Sequence, residues 1–176
     1  FGAVYAAAAK AVRREKMRAR HFTNFALSAK LYGIFAERKA TGMDSYEALA
    51  ATYDELTEDV DYQRRADFLE RLFQRARLPV HTVLDLACGT GTMTWLLTAR
   101  GYELIAVDGS EDMLAAAAAK TGPGIPPVFL HQSMPQLDLY GTVDAAICCL
   151  DSLNYLTNPR DVQRTFERLH LFIAPG

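Results

Sequence analysis

The sequence predicts an α/β fold: a doubly wound, mostly parallel sheet with helices on both faces, three layers in all. Two observations carry this. Beyond residue 80, short apolar runs alternate four times with helix-patterned segments, and such alternation implies right-handed crossovers between parallel strands. One run, "TVDAAICCL" (142–150), is apolar almost throughout, as expected of a parallel strand covered on both faces.

The strands are expected at "HTVLDLA" (81–87), "YELIAVD" (102–108), "PPVFLH" (126–131) and 142–150, with "HLFIAPG" (170–176) opening a fifth. The sheet is expected to be incomplete after that strand. A helix is predicted from Asp61 to Arg77, with Ala66, Leu69, Leu72, Phe73 and Ala76 on one face and Pro79 preventing its continuation. Residues 91–100 form the next helix, with Gly101 as its C′ residue. Ser110 caps a helix over 111–120. The last helix spans 158–169, with Pro159 in its first turn. Upstream, helices are expected over 3–21 and 22–40, and a short one from Ser45 to about Thr52. Between them and the 61–77 helix, "YDELTEDVDY" (53–62) reads as an acidic connector.

The 176 residues are 50% hydrophobic and 23% charged, enough for a sizeable core and against global disorder. The net charge of -2 conceals an asymmetry. Residues 1–42 hold nine Lys/Arg and two Glu, whereas 43–176 hold ten Lys/Arg and nineteen Asp/Glu. The chain therefore divides into a basic helical extension, 1–42, and a domain, 43–176. It begins at Phe1, and Met43 is the expected natural start of the domain; both ends look cut. The basic helix could touch RNA or an anionic membrane, although a charge run is more often a solvated face. Three cysteines, Cys88, Cys148 and Cys149, make a poor disulfide framework and suggest a reducing cytoplasm. No Cys/His spacing suggests a metal site, and no apolar run is long enough to span a bilayer.

In such a sheet, ligands bind at the carboxyl ends of the strands. After the first strand, "VLDLACGTGTMT" (83–94) supplies Asp85, Leu86, Ala87, Cys88, Gly89 and Gly91. Glycines there let backbone amides approach a ligand closely. A phosphate-binding loop would end in Gly-Lys-Ser/Thr, and no lysine follows. A dinucleotide loop would carry a third glycine, where Thr94 stands. Asp85 repels a pyrophosphate and welcomes a cation. Asp108, ending the second strand, can accept hydrogen bonds from both hydroxyls of a ribose. The site therefore asks for a ribose and a positive or zwitterionic group without phosphate. S-adenosylmethionine meets that description.

At this point the sequence resembles a family. "VLDLACGTGTMTWLL", "IAVDGSEDML", "LHQSMPQLDL" and "VDAAICCLDSLNYL" resemble successive segments of the class I S-adenosylmethionine-dependent methyltransferases, over about residues 43–176. The resemblance implies a methyltransferase acting on an unidentified acceptor, whether small molecule, RNA or protein. It implies that Asp85, Gly89 and Gly91 surround the methionine moiety, with Leu86, Ala87 and Cys88 completing the loop. Asp108 would take the ribose, Gly109 would belong to the same cofactor segment, and Ser110 and Met113 would lie near the adenine side. Ser133 would stand where relatives carry an acid for the adenine amine, with Met134 as a hydrophobic wall. Asp151 would lie near the methyl group or cofactor tail, the one positional candidate for a base. Tyr46 and Tyr53 would cover the cofactor from the N-terminal side. Ala87 replaces the usual first glycine of the loop. Family members usually have seven strands, so the chain as given is expected to be a cofactor-binding fragment with little activity alone. The alternatives are an NAD-dependent oxidoreductase and a non-catalytic S-adenosylmethionine-binding partner protein.

Overall fold

A computed structural model describes residues 52–175. The helices expected over 3–21 and 22–40, Tyr46, and all but the last residue of the helix expected from Ser45 to about Thr52 lie outside the described residues. Among the described residues the chain runs α1 (Tyr53–Leu56), α2 (Tyr62–Phe73), β1 (Thr82–Leu86), α3 (Thr92–Ala99), β2 (Glu103–Asp108), α4 (Glu111–Ala119), β3 (Val128–His131), β4 (Ala145–Ile147) and α5 (Pro159–Phe172). Short 3-10 turns sit at Met134–Gln136 and Ser152–Tyr155.

The strands form one parallel sheet in the order β3-β2-β1-β4. Central β1 is the most buried, with Val83 to Leu86 all inaccessible. Its two faces feed two cores. On one, Val83 and Leu104 pack with Met93 and Leu97 of α3 and Ala66 of α2, backed by Leu69 and Phe73. On the other, Leu84, Leu86 and Val107 pack with Leu137 and Val143, backed by Leu169 and Phe172 of α5. The doubly wound, three-layer reading of the sequence holds for the described residues.

Local chemistry sets most element ends. Asp61 caps α2 by accepting from the Arg64 amide. The helix ends at Phe73, short of the predicted Arg77, because Arg75 and Ala76 already turn back with tighter i→i+3 bonds to Leu72 and Phe73. Arg100, just after α3, reaches Asp67 at 2.6 Å and Glu70 at 3.0 Å and ties α3 to α2. The Trp95 indole N–H donates to the Ala117 carbonyl at 2.9 Å, joining α3 to α4. The side chain of Asp144 accepts from the amides of His81 and Thr82, both at 2.8 Å, so the start of β4 is pinned to the start of β1.

Two further expectations need correction. The strand predicted over 142–150 is only Ala145–Ile147, because Leu150 and Asp151 adopt left-handed backbone, φ 54° and 63°, and turn the chain away. The fifth strand predicted from His170 is not formed there. Thr165, Leu169 and Phe172 keep helical spacing against the second core, so α5 runs on to Phe172. Only Ile173 then pairs, in a single parallel bridge to Val143. That bridge continues the sheet outward beyond β4.

Candidate functional site: the glycine loop and two carboxylates

Three left-handed residues shape the loop after β1: Ala87 (φ 61°), Gly89 (φ 56°) and Gly91 (φ 72°). The conformation is natural for glycine, whereas alanine adopts it at a cost of about 1 kcal/mol. Ala87 is therefore a strained residue held by its surroundings. The Cys88 amide continues the sheet ladder to Val107, and the Gly91 amide closes the turn on Cys88. Gly91 is also required by space. A Cβ there would stand 2.9 Å from that of Ala117. The close approach of helix and loop thus falls at Gly91, and position 94 is free to carry Thr94. Gly91→Ala is expected to lower stability by about 2 kcal/mol, combining left-handed strain with overpacking. Urea denaturation checks this, and a loss below measurement error would refute it.

Asp108, at the end of β2, joins two loops. One carboxylate oxygen accepts from the Gly89 amide at 2.7 Å and the other from the Ser110 amide at 2.9 Å. Each oxygen keeps a lone pair for a further donor. Ser110 in turn caps α4 through the Met113 amide. Gly109 is exposed, and its carbonyl meets the His131 ring at 3.1 Å.

Asp85, on the neighbouring strand, is 1% exposed. The Thr94 hydroxyl donates to it at 2.6 Å. Burial pushes its carboxyl up to about 6; the Thr94 hydrogen bond opposes this and the charge of Asp108 adds to it. No Lys, Arg or His side chain among the described residues pairs with Asp85 or Asp108. Burial, reinforced by the charges of Asp85 and Asp108, also raises the thiols of Cys88 and Cys148. Both stay neutral and are poor nucleophiles.

The remaining residues divide by exposure. The side chains of Leu86 and Met113 point into the interior, at 1% and 5% exposure, so they offer a site little beyond backbone. Ser133 is half-buried, with its hydroxyl on Gln136. Its neighbour Gln132 is tied down, since both ends of its amide bond the Asp138 backbone. Met134 packs against the second core. Asp151 is exposed and left-handed, and its side chain makes no capping bond. Tyr53 opens α1, and its phenol is raised well above its usual range by burial, then by Tyr62, Tyr155 and Asp108. Tyr53 thus lies within electrostatic reach of Asp108.

Sequence reasoning missed Asp54. Its carboxylate accepts from the hydroxyls of Thr90 (2.6 Å) and Thr92 (3.1 Å) and pairs with Lys120 at 2.6 Å. Nothing in the acidic run 53–62 signals a partner 36 residues away.

A parallel sheet with a glycine turn, a buried acid and a second acid at adjoining strand ends defines a class of nucleoside-cofactor enzymes. Residues 83–176 match the model of a methyltransferase domain family, and the chain belongs to that family. It is 37% identical over 132 residues to the putative methyltransferase YqeM of Bacillus subtilis (strain 168), covering 74% of this chain and 51% of that protein. It is 29% identical over 137 residues to the glycine/sarcosine/dimethylglycine N-methyltransferase of Actinopolyspora halophila, covering 73% of this chain and 24% of that one. An S-adenosylmethionine-dependent methyltransferase from Clostridium acetobutylicum ATCC 824 superposes with a TM-score of 0.62 at 31% identity, covering 74% of this chain and 54% of that one. The chain thus spans about half the length of the Bacillus and Clostridium proteins. No helix among the described residues is long and apolar enough to cross a membrane.

Proposed function

We propose that the chain binds S-adenosylmethionine and forms the cofactor side of a methyltransferase. One observation carries this reading: Asp85 and Asp108 stand at adjoining strand ends without a cationic partner among the described residues. Two such carboxylates repel a pyrophosphate and favour a ligand with positive charge and a ribose diol. That disfavours NAD. The Clostridium protein, described as S-adenosylmethionine-dependent, supports the same ligand.

In this reading the free lone pairs of Asp108 take the ribose hydroxyls. The backbone of Leu86, Ala87, Cys88, Gly89 and Gly91 lines the amino-acid end, near Asp85. Gly109, Ser110 and Met113 flank the adenine, with Ser133 and Met134 on its far side and Tyr53 above the ribose. The acceptor is a small amine, as the naming of the halophile relative for glycine, sarcosine and dimethylglycine suggests. The cofactor supplies an activated methyl, and the chain's residues align it and exclude water. Exposed Asp151 serves as the proton acceptor for the amine. The division at residue 42 and a cytoplasmic site of action belong to the same reading; unpaired cysteines support the latter.

Titration calorimetry decides the cofactor. Heat on adding S-adenosylmethionine and none on adding NAD is expected. The reverse pattern would refute the reading.

A further inference from the structure

Helix α1 is four residues long, and none of the four is buried. A helix that short has no hydrogen-bonded stability of its own. Buried Thr57 and Val60 fix where the segment leaves; Asp54 fixes where it begins. The Asp54 carboxylate spans the glycine loop, holding Thr90 and Thr92 through one oxygen and Lys120 through the other. Lys120, just past α4, also donates to the Thr92 hydroxyl at 3.0 Å, which closes a four-membered knot. Partial burial alone would lift the Asp54 carboxyl; Lys120 and the threonines bring it below its ordinary value.

We propose that Asp54 and Lys120 are positioning residues: their ion pair draws α1, and Tyr53 with it, onto the glycine loop and slows departure of the bound cofactor. The proposal rests on the cofactor reading above. Side-chain exposure of 50% for Asp54 and 30% for Lys120 leaves water and salt access to the pair, so it can release and re-form. Thr90, by contrast, is 2% exposed. When Asp54 leaves, the Thr90 hydroxyl loses its acceptor in a buried place, which favours return to the closed arrangement.

Displacement of radiolabelled S-adenosylhomocysteine from the 176-residue chain, followed by rapid filtration, tests this. Asp54→Ala is expected to release the ligand about tenfold faster and Lys120→Met about threefold faster, in line with a half-exposed pair plus hydrogen bonds to a charged acceptor. Association should change little. Lys120→Arg should hold the unaltered rate. Raising salt should speed release from the unaltered chain but not from Asp54→Ala. Variants that melt lower yet keep the unaltered release rate and salt response would overturn the latch and leave the cofactor reading standing. Failure of the unaltered chain to bind would overturn the cofactor reading and the proposal with it.

Discussion

Asp108→Ala is expected to weaken S-adenosylmethionine binding by a factor of about 100 to 1,000. The substitution acts twice. It removes two acceptors for ribose hydroxyls, each charge-assisted and of order 1.5–3 kcal/mol. It also strips the Gly89 and Ser110 amides of the oxygens that hold them. Each tenfold step is about 1.4 kcal/mol, so the loss asks for roughly 3–4 kcal/mol, within what two such bonds supply. Asp108→Asn keeps one acceptor oxygen and should fall between. Calorimetry gives the affinities, and circular dichroism checks that the variants remain folded. Retention of affinity within about threefold by Asp108→Ala would remove the carboxylate from the ribose role.

The second large effect is in pH. With the Asp85 carboxyl at about 6, the free protein carries that group protonated in mild acid. A cationic ligand prefers the carboxylate, so binding then requires a proton to leave. Affinity should be level above neutral pH and fall about tenfold per pH unit below 6. In Asp85→Asn that slope should vanish and the affinity stay low throughout. Stability runs the other way. The folded value lies above the unfolded one, so the contribution is fully present below the unfolded pKa and is lost as pH rises through 6. A shift of roughly two units corresponds to about 3 kcal/mol at most. Without ligand, Asp85→Asn should therefore gain on the unaltered chain between acid and mildly alkaline pH, read by chemical denaturation at both. Parallel stability curves would show that the buried acid is not the titrating group.

The sheet was legible in the sequence because parallel strands covered on both faces leave apolar runs, as Leu104–Val107 does. Asp85, Gly91 and Asp108 were legible because each sits at a strand end or tight turn where its type has a local reason. What was lost depends on distance or on competition. The α5 boundary failed because His170–Phe172 suits strand or helix alone, and packing of Phe172 against the second core decides for helix. The role of Thr94 was read as a missing glycine, since only the fold reveals that its hydroxyl serves Asp85. Asp54 was hidden for the same reason: its partners lie on two other elements.

Trp95 gives the molecule a built-in optical gauge. It is the chain's one tryptophan, and its ring lies against Gly122 while its N–H holds Ala117, the residue whose Cβ crowds Gly91. The emitter therefore bridges the two helices that flank the glycine turn. A ligand that spreads or tightens those helices would alter the polarity around the indole, so the emission colour would report that movement without a label.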